Sequence, residues 1–339
     1  MNWLKRISFK KNRVLKWLYF SINIACASLV GKPLILCFHR VKTQSISLLD
    51  RRIGVTKPSD LEEVIRFLRM AGYKFVSLER LVQMIEEGNF SKVAAVTFDD
   101  GLNDLYENAF PIMKKYSIPF TCFLITSLID STKLLWLHKL YISWDKIDKL
   151  VRNNIIRDYI EVDVNMQSDD TVAGSVVHSH NKQKLVELAT KLSETANINR
   201  ENEAHFARDL YLRSEVIEEM QANGLKIELH GHNHWPLTKL SEEETRQELE
   251  TPLIIIREKF QSLARFFALP YGKSNPYLND IARQLGIGGI FTIKGRLITK
   301  YNKDLYGLPR FCINDDVQAF YRALSAEFIK YIAANFSKN

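Results

Sequence analysis

The chain has little cysteine: four residues in 339, Cys26, Cys37, Cys122 and Cys312, with no C-x-x-C pair. That spacing excludes a zinc-ribbon pattern and a dense disulfide framework. The last three lie in apolar runs, where a small buried thiol is the ordinary reading. A reducing compartment is compatible with this usage without being established by it. Internal repeats and low-complexity tracts are also missing, and 46% hydrophobic with 25% charged residues is an ordinary globular balance. Disordered, fibrous and multi-span membrane chains are thereby excluded. Acidic residues are absent from positions 1–16, which carry six basic ones: Lys5, Arg6, Lys10, Lys11, Arg13 and Lys16. The formal charge is +8, and without that segment it falls to 41 − 39 = +2. A nucleic-acid binder is expected to carry its excess on a folded face, so the arm points to a membrane surface or a targeting signal.

The uncharged run that follows, Trp17–Gly31, has 15 residues, short of the ~20 that span a bilayer. Leu4, Ile7, Val14, Leu18, Ile22, Ala25 and Leu29 recur at helical spacing, with most basic residues off that stripe, as in an interfacial helix attracted to anionic lipid. The alternatives are a secretory signal ending in Ala25-Cys26-Ala27, and a plain helix docked on the folded domain. Residues 1–32 are therefore read as a basic amphipathic arm that places the protein in the cytoplasm, peripheral to the membrane. Export through an N-terminal signal is the alternative.

From residue 33 short apolar runs alternate with amphipathic stretches, which predicts an α/β fold with a mainly parallel sheet. Strands are expected at Leu34–His39, Lys74–Ser77, Val93–Phe98, Phe120–Ile125, Lys226–Leu229, Phe266–Leu269, Gly289–Ile293 and Leu308–Ile313. Helices are expected at Ser59–Ala71, with Ser59 as N-cap and Glu62 in the capping box, and at Leu78–Glu87, Asn103–Tyr116, Ser241–Phe260, Pro276–Leu285 and Asp316–Asn335. The count suits a distorted (β/α) barrel of about seven to eight strands. Residues 127–213 break the rhythm and read as a helical insertion in the domain 33–339. Helices are expected there at Leu134–Val151, Asn181–Ser193 and Asn199–Leu212, around a polar stretch, Glu161–His180, with strand-like fragments. Trp136, His138 and Trp144 share one of these helices, as insert core or, alternatively, approaching the cleft.

Two clusters carry chemistry. The run Val93–Val96 ends in Thr97-Phe98-Asp99-Asp100-Gly101, adjacent carboxylates where α/β barrels expose functional groups. Such a pair is costly unless a cation or proton separates the two roles, and an N-cap for the next helix is the bland alternative. Second, three of the eight histidines stand in His230-Gly231-His232-Asn233-His234, just after an apolar run. Two imidazoles and a carboxylate give three protein ligands with positions left for water, the pattern of a catalytic zinc-like site. Spacing alone leaves open which two histidines bind.

Thr97–Gly101 resembles the Thr-Phe-Asp-Asp-Gly motif of the polysaccharide deacetylases, the NodB-homology domain of carbohydrate esterase family 4. His230-x-x-x-His234, followed by Leu237-Thr238-Lys239-Leu240-Ser241, resembles that family's second motif, and Leu269-Pro270-Tyr271-Gly272 its third. Leu34–Val41, with Phe38-His39-Arg40-Val41, resembles the opening strand of a circularly permuted branch, and Leu308-Pro309-Arg310-Phe311 its closing strand. The resemblance implies Asp100, His230 and His234 as ligands of a divalent ion, with zinc the expected metal, and His232 as an intervening residue. It implies Asp99 as base, His39 as the acid, and Pro270, Tyr271 and Gly272 as substrate-binding residues, the Tyr271 N–H facing the oxyanion. The Arg that usually opens the third motif is replaced by Ala268, and Arg310 is the candidate to pair with Asp99. The usual fifth-motif histidine and fourth-motif tryptophan have no identifiable counterpart.

The expected activity is removal of an N-acetyl group from an amino sugar of a polysaccharide or lipid-linked glycan in the cell envelope. The expected partners are that glycan and an anionic membrane touched through residues 1–30, with no nucleic acid. Two other readings use the same residues: a metal-dependent amidase or imidase acting on a small non-sugar substrate, and a catalytically inactive, membrane-associated glycan-binding protein.

Overall fold

The computed structural model describes residues 24, 27–28, 31–161, 163–164, 168–179, 182–300, 303–314 and 316–336. Eleven strands are present among them: β1 (Leu34–Phe38), β2 (Arg40–Val41), β3 (Val55–Thr56), β4 (Lys74–Phe75), β5 (Val93–Asp100), β6 (Phe120–Leu124), β7 (Leu225–Leu229), β8 (Phe266–Ala268), β9 (Gly289–Thr292), β10 (Leu308–Pro309) and β11 (Phe311–Cys312). Nine form one parallel sheet in the order β10-β9-β8-β7-β6-β5-β1-β11, with β4 beside the start of β5. β2 and β3 make a separate pair.

The two ends of that order are the two halves of one extended stretch. Leu308 and Pro309 pair with Phe291 and Thr292 of β9, while Phe311 and Cys312 pair with Leu36 and Cys37 of β1. Leu308–Cys312 is thus a shared stave that closes the ring, broken as a ladder at Arg310, whose N–H donates to Thr292 O. The sequence expectation of one strand over Leu308–Ile313 is met by two short ladders to opposite neighbours.

Side-chain alternation along the strands separates an inside from an outside. Ile35, Ala95, Phe123, Phe266, Ala268, Phe291 and Leu308 form the inner cluster, onto which the helix Leu78–Glu86 packs through Leu78, Leu81, Val82 and Ile85. The alternate residues Leu34, Leu36, Phe38, Val96 and Phe98 join the larger cluster beneath the outer helices. Each fully buried Leu, Ile or Phe contributes roughly 1.5–3 kcal/mol, so the two clusters supply most of the driving force.

Between β6 and β7 the described residues include six α-helices: Trp136–Trp144, Lys149–Tyr159, Asp169–Ser179, Lys182–Thr195, Arg200–Leu210 and Ser214–Gln221. Two expectations need correction here. Leu134–Val151 is not one helix, because Asp148 caps a new one, its carboxylate accepting from Leu150 N and Val151 N. The supposed strand-like stretch Glu161–His180 contains the helix Asp169–Ser179, whose Val172, Ala173, Val176 and Val177 are buried at helical spacing. β-Branched residues lower helix propensity slightly, and burial of one face overrides that. A third correction concerns the helix expected at Ser59: it begins at Pro58, so Ser59 is inside its first turn and Lys57 is the uncapped N-cap.

Most of the arm, residues 1–23, 25–26 and 29–30, lies outside the described residues. Of the rest, Ala27 is buried in the outer cluster, Ile24 packs against it, and Ser28 Oγ donates to Ala71 O at 3.1 Å. No helix of the described residues is long and apolar enough to cross a membrane.

Candidate active site

β5 delivers both carboxylates to one place by changing conformation at its last residue. Asp99 follows the strand alternation inward, whereas Asp100 has φ +75°, which turns its side chain toward the same space. Gly101 continues the turn at φ +80°, and a Cβ there would lie 2.6 Å from Leu124 Cδ2. The Asp-Asp-Gly order is therefore a backbone requirement as well as a chemical one.

Asp99 is held from the closing stave. Arg310, fully buried, donates from Nη1 to Oδ1 and from Nη2 to Oδ2, both at 2.7 Å, and also reaches Thr97 Oγ1 at 3.2 Å. Its guanidinium lies 5.1 Å from the centroid of the Phe123 ring. Cys37 Sγ donates to Asp99 Oδ2 at 3.5 Å, and His39 Nε2 stands 3.8 Å from the same oxygen. Burial pushes the Asp99 carboxyl up, but Arg310 and His230 more than offset this and hold it at about 2. His39 keeps partial access to solvent, with 18% of its side chain exposed. Its neighbour Arg40 turns away from the site: Nε donates to Asp104 Oδ2 at 2.7 Å and Nη1 to Asp50 Oδ1 at 2.5 Å. That buried fork fixes the turn that presents His39.

The histidines follow β7. His230 Nδ1 meets Ala268 O at 2.9 Å, and donation to that carbonyl leaves the Nε2 lone pair facing Asp100 Oδ1 at 3.4 Å. His234, at φ +54°, brings its Nε2 to 3.7 Å from the same oxygen. His232 is turned aside, its Nδ1 3.0 Å from Thr126 Oγ1. The loop is gripped by Glu248 of the helix Glu242–Phe260, whose carboxylate accepts from His232 N and Asn233 N, both at 2.9 Å. Gly231 makes this possible: it has φ +85°, and a Cβ would meet Glu248 Oε2 at 2.8 Å.

Asp100, His230 and His234 each offer one ligand atom, all within 4.8 Å of one another. Donors ~2.1 Å from a tetrahedral zinc stand about 3.4 Å apart, close to the N···O separations of 3.4 and 3.7 Å here. Asp100 Oδ1 is buried and, among the described residues, makes no hydrogen bond, as suits a ligand oxygen. Burial and the neighbouring His230 lower His234 to about 3, so its ring is neutral. Burial pulls His230 down, and Asp99 and Asp100 more than reverse this. A bound cation would take over the proton's place there.

Pro270, Tyr271 and Gly272 form a tight turn after β8, with Tyr271 at φ +57° and its ring 4.8 Å from that of His234. Three site residues carried no sequence signal: Glu248, Cys37 and Tyr211. Tyr211 lies at the end of the insert, and its backbone bridges to Leu102, with Leu212 N donating to Gly101 O. Of the three aromatic residues noted on one insert helix, Trp144 is insert core beneath the Arg152 guanidinium. Trp136 stacks on Trp235 at 4.7 Å with a 5° interplanar angle, directly beside His234. His138 Nδ1 is 2.9 Å from Tyr211 Oη.

Residues 87–290 match the family model described as polysaccharide deacetylase. A poly-β-1,6-N-acetyl-D-glucosamine N-deacetylase of Staphylococcus epidermidis is 37% identical over 113 residues, 30% of this chain and 39% of that enzyme. The Staphylococcus aureus enzyme of that name is 22% identical over 259 residues, 76% of this chain and 67% of its own length. Among solved structures, the deacetylase PplD of Streptococcus pyogenes, in complex with acetate, superposes with a TM-score of 0.58 at 18% identity, over 86% of this chain and 98% of that one. IcaB from Ammonifex degensii gives 0.56 at 18% identity, over 88% and 97%. At those identities the likeness shows the fold.

Proposed function

Because the chain belongs to the polysaccharide deacetylase family, we propose that it hydrolyses the N-acetyl group of an amino sugar in a polysaccharide or lipid-linked glycan, releasing acetate and leaving an amine. The observation that carries this reading is the convergence of Asp100, His230 and His234 beside an Asp99 carboxylate clamped by Arg310. The two staphylococcal relatives, by name, act on an N-acetylglucosamine polymer, which supports the substrate class.

Asp100, His230 and His234 would hold a divalent ion, and a mixed N/O donor set with open positions suits zinc. When bound, the ion supplies Lewis acidity, lowering the pKa of water and polarising the acetyl carbonyl. Asp99, kept ionised by Arg310, accepts the proton of the attacking water. The Tyr271 N–H faces the oxygen on which negative charge develops, and Pro270 and Gly272 shape that turn. His39 Nε2, at the exposed rim, gives a proton to the departing nitrogen, which is otherwise a poor leaving group. The permuted strand order belongs to the same reading, supported by β1 lying between β5 and β11.

Residues 1–32 are proposed as an arm that holds the protein to the cytoplasmic face of an anionic membrane, ahead of the domain 33–339 with its insert 127–213. The burial of Ala27 supports a retained arm, since cleavage after it would take this side chain out of the core.

The test is acetate release from a β-1,6-linked N-acetylglucosamine oligosaccharide, with chelator and with zinc restored. Asp99→Asn should abolish turnover with metal stoichiometry kept, and Asp100→Asn should lose the metal. Hydrolysis of small cyclic imides with no acetate from any N-acetylated glycan would overturn the assignment.

A further inference from the structure

The insert brings a polar group to the site that the reaction as described does not use. On the helix Trp136–Trp144, His138 and Tyr141 are one turn apart and face the same way. His138 acts electrostatically on Asp100 and on His234, and Tyr141 on Tyr271, whose ring rests on His234. Geometry places this face in the same neighbourhood, because Tyr211, bonded to His138, bridges to Leu102 two residues beyond Asp100. The stack of Trp136 on Trp235 and the bridge from Tyr211 to Leu102 tie the insert to both ligand-bearing loops.

The hydrogen bonds around His138 set its tautomer. Leu135 N–H donates to Tyr211 Oη at 2.9 Å, so that oxygen is an acceptor. His138 Nδ1 is 2.9 Å from that oxygen, and the arrangement in which the hydroxyl donates to it satisfies both groups. The imidazole proton then sits on Nε2. Burial lowers His138 to about 4, so the ring is neutral near pH 7. A neutral ring with a fixed N–H is a hydrogen-bond donor, and it has no proton to give as an acid.

We infer that His138 is a substrate-binding residue supplied by the insert, its Nε2–H donating to an oxygen of the N-acetylated sugar seated at the metal centre, with Tyr211 as the positioning residue that holds the tautomer. The inference rests on the deacetylase reading. Its contribution is greatest if the acceptor gains charge during the reaction, because a preorganised donor in a site closed to water needs no reorganisation.

The experiment uses the full-length, zinc-loaded protein and a β-1,6-linked N-acetylglucosamine trisaccharide. His138→Ala should lower kcat/KM by about 10–100-fold with one metal per chain and the melting temperature retained. His138→Gln, whose side-chain N–H sits where Nε2–H was, should recover a substantial part of the loss. Tyr211→Phe should give an intermediate loss. Equal kcat/KM in wild type and His138→Ala would overturn the inference and leave the deacetylase reading standing, as would a His138→Ala protein that fails through loss of metal. A Gln variant as slow as the Ala variant would also count against the donor role. A wild-type protein that neither binds nor hydrolyses the trisaccharide would instead remove the deacetylase reading itself.

Discussion

Arg310 has a task that a lysine in its place would not perform. A planar fork meets both oxygens of Asp99 at once, and in a fully buried setting that pairing decides whether the carboxyl is charged. Without it, the strongest influence opposing burial is gone and the carboxyl moves up from about 2. The sign of the pH effect follows. Asp99 sits at about 2 in the folded chain, below its unfolded value, so the stability from its charged form is present above ~3.9 and is lost as pH falls toward 2. Arg310→Met should move the acid limb of the kcat/KM–pH profile upward by at least ~1 unit, while the metal content is unchanged. An acid limb left where it was would mean that Asp99 is not the group titrating in that limb. The sequence pointed to Arg310 only by subtraction, since Ala268 occupies the place where an arginine was expected. Tyr211 and Glu248 could not be found that way, because a hydroxyl just past one helix and a carboxylate on another acquire meaning only through the loops they touch.

At the scale of elements, the loop His230–His234 is shaped from outside by the helix Glu242–Phe260. Two backbone N–H groups point at one Glu248 carboxylate, and that contact sets the curl placing His230 and His234 on the same side and His232 on the other. Glu248→Ala should weaken metal affinity about 10–100-fold, read by chelator competition, with helix content preserved. His232→Ala should bind metal like the wild type, whereas His230→Ala and His234→Ala should each lose it. Metal loss on His232→Ala would give that residue the ligand role. The strands were legible from their apolar runs, and the ends of β5, β6 and β9 fall within two residues of expectation. The insert was less legible. Its segment 169–179 alternates small and β-branched residues with polar ones, a pattern that a short strand and a buried helix face share. Its first expected helix is two because Asp148 offers its carboxylate to the backbone, a local competition that hydrophobic spacing does not register.

For the whole molecule, the arm and the barrel meet where Ala27 packs against the core and Ser28 reaches Ala71. A truncation removing residues 1–23 keeps that contact and should leave hydrolysis of a soluble oligosaccharide unchanged while abolishing association with anionic vesicles. Six positive charges contribute roughly 1 kcal/mol each near such a surface, so full-length protein should be released progressively as salt rises. Salt-independent binding, or binding by the truncated protein, would place the contact elsewhere. The shared stave Leu308–Cys312 has a further consequence, for the order in which the protein is made. A chain leaves the ribosome at ~5–20 residues per second, N-terminus first. His39, Asp99, Asp100, His230 and His234 emerge well before Arg310, and until that residue arrives the ring lacks its last stave and Asp99 its buried partner. The candidate site is therefore completed only at the last step of closure, because the same five residues that shut the barrel also clamp the Asp99 carboxylate.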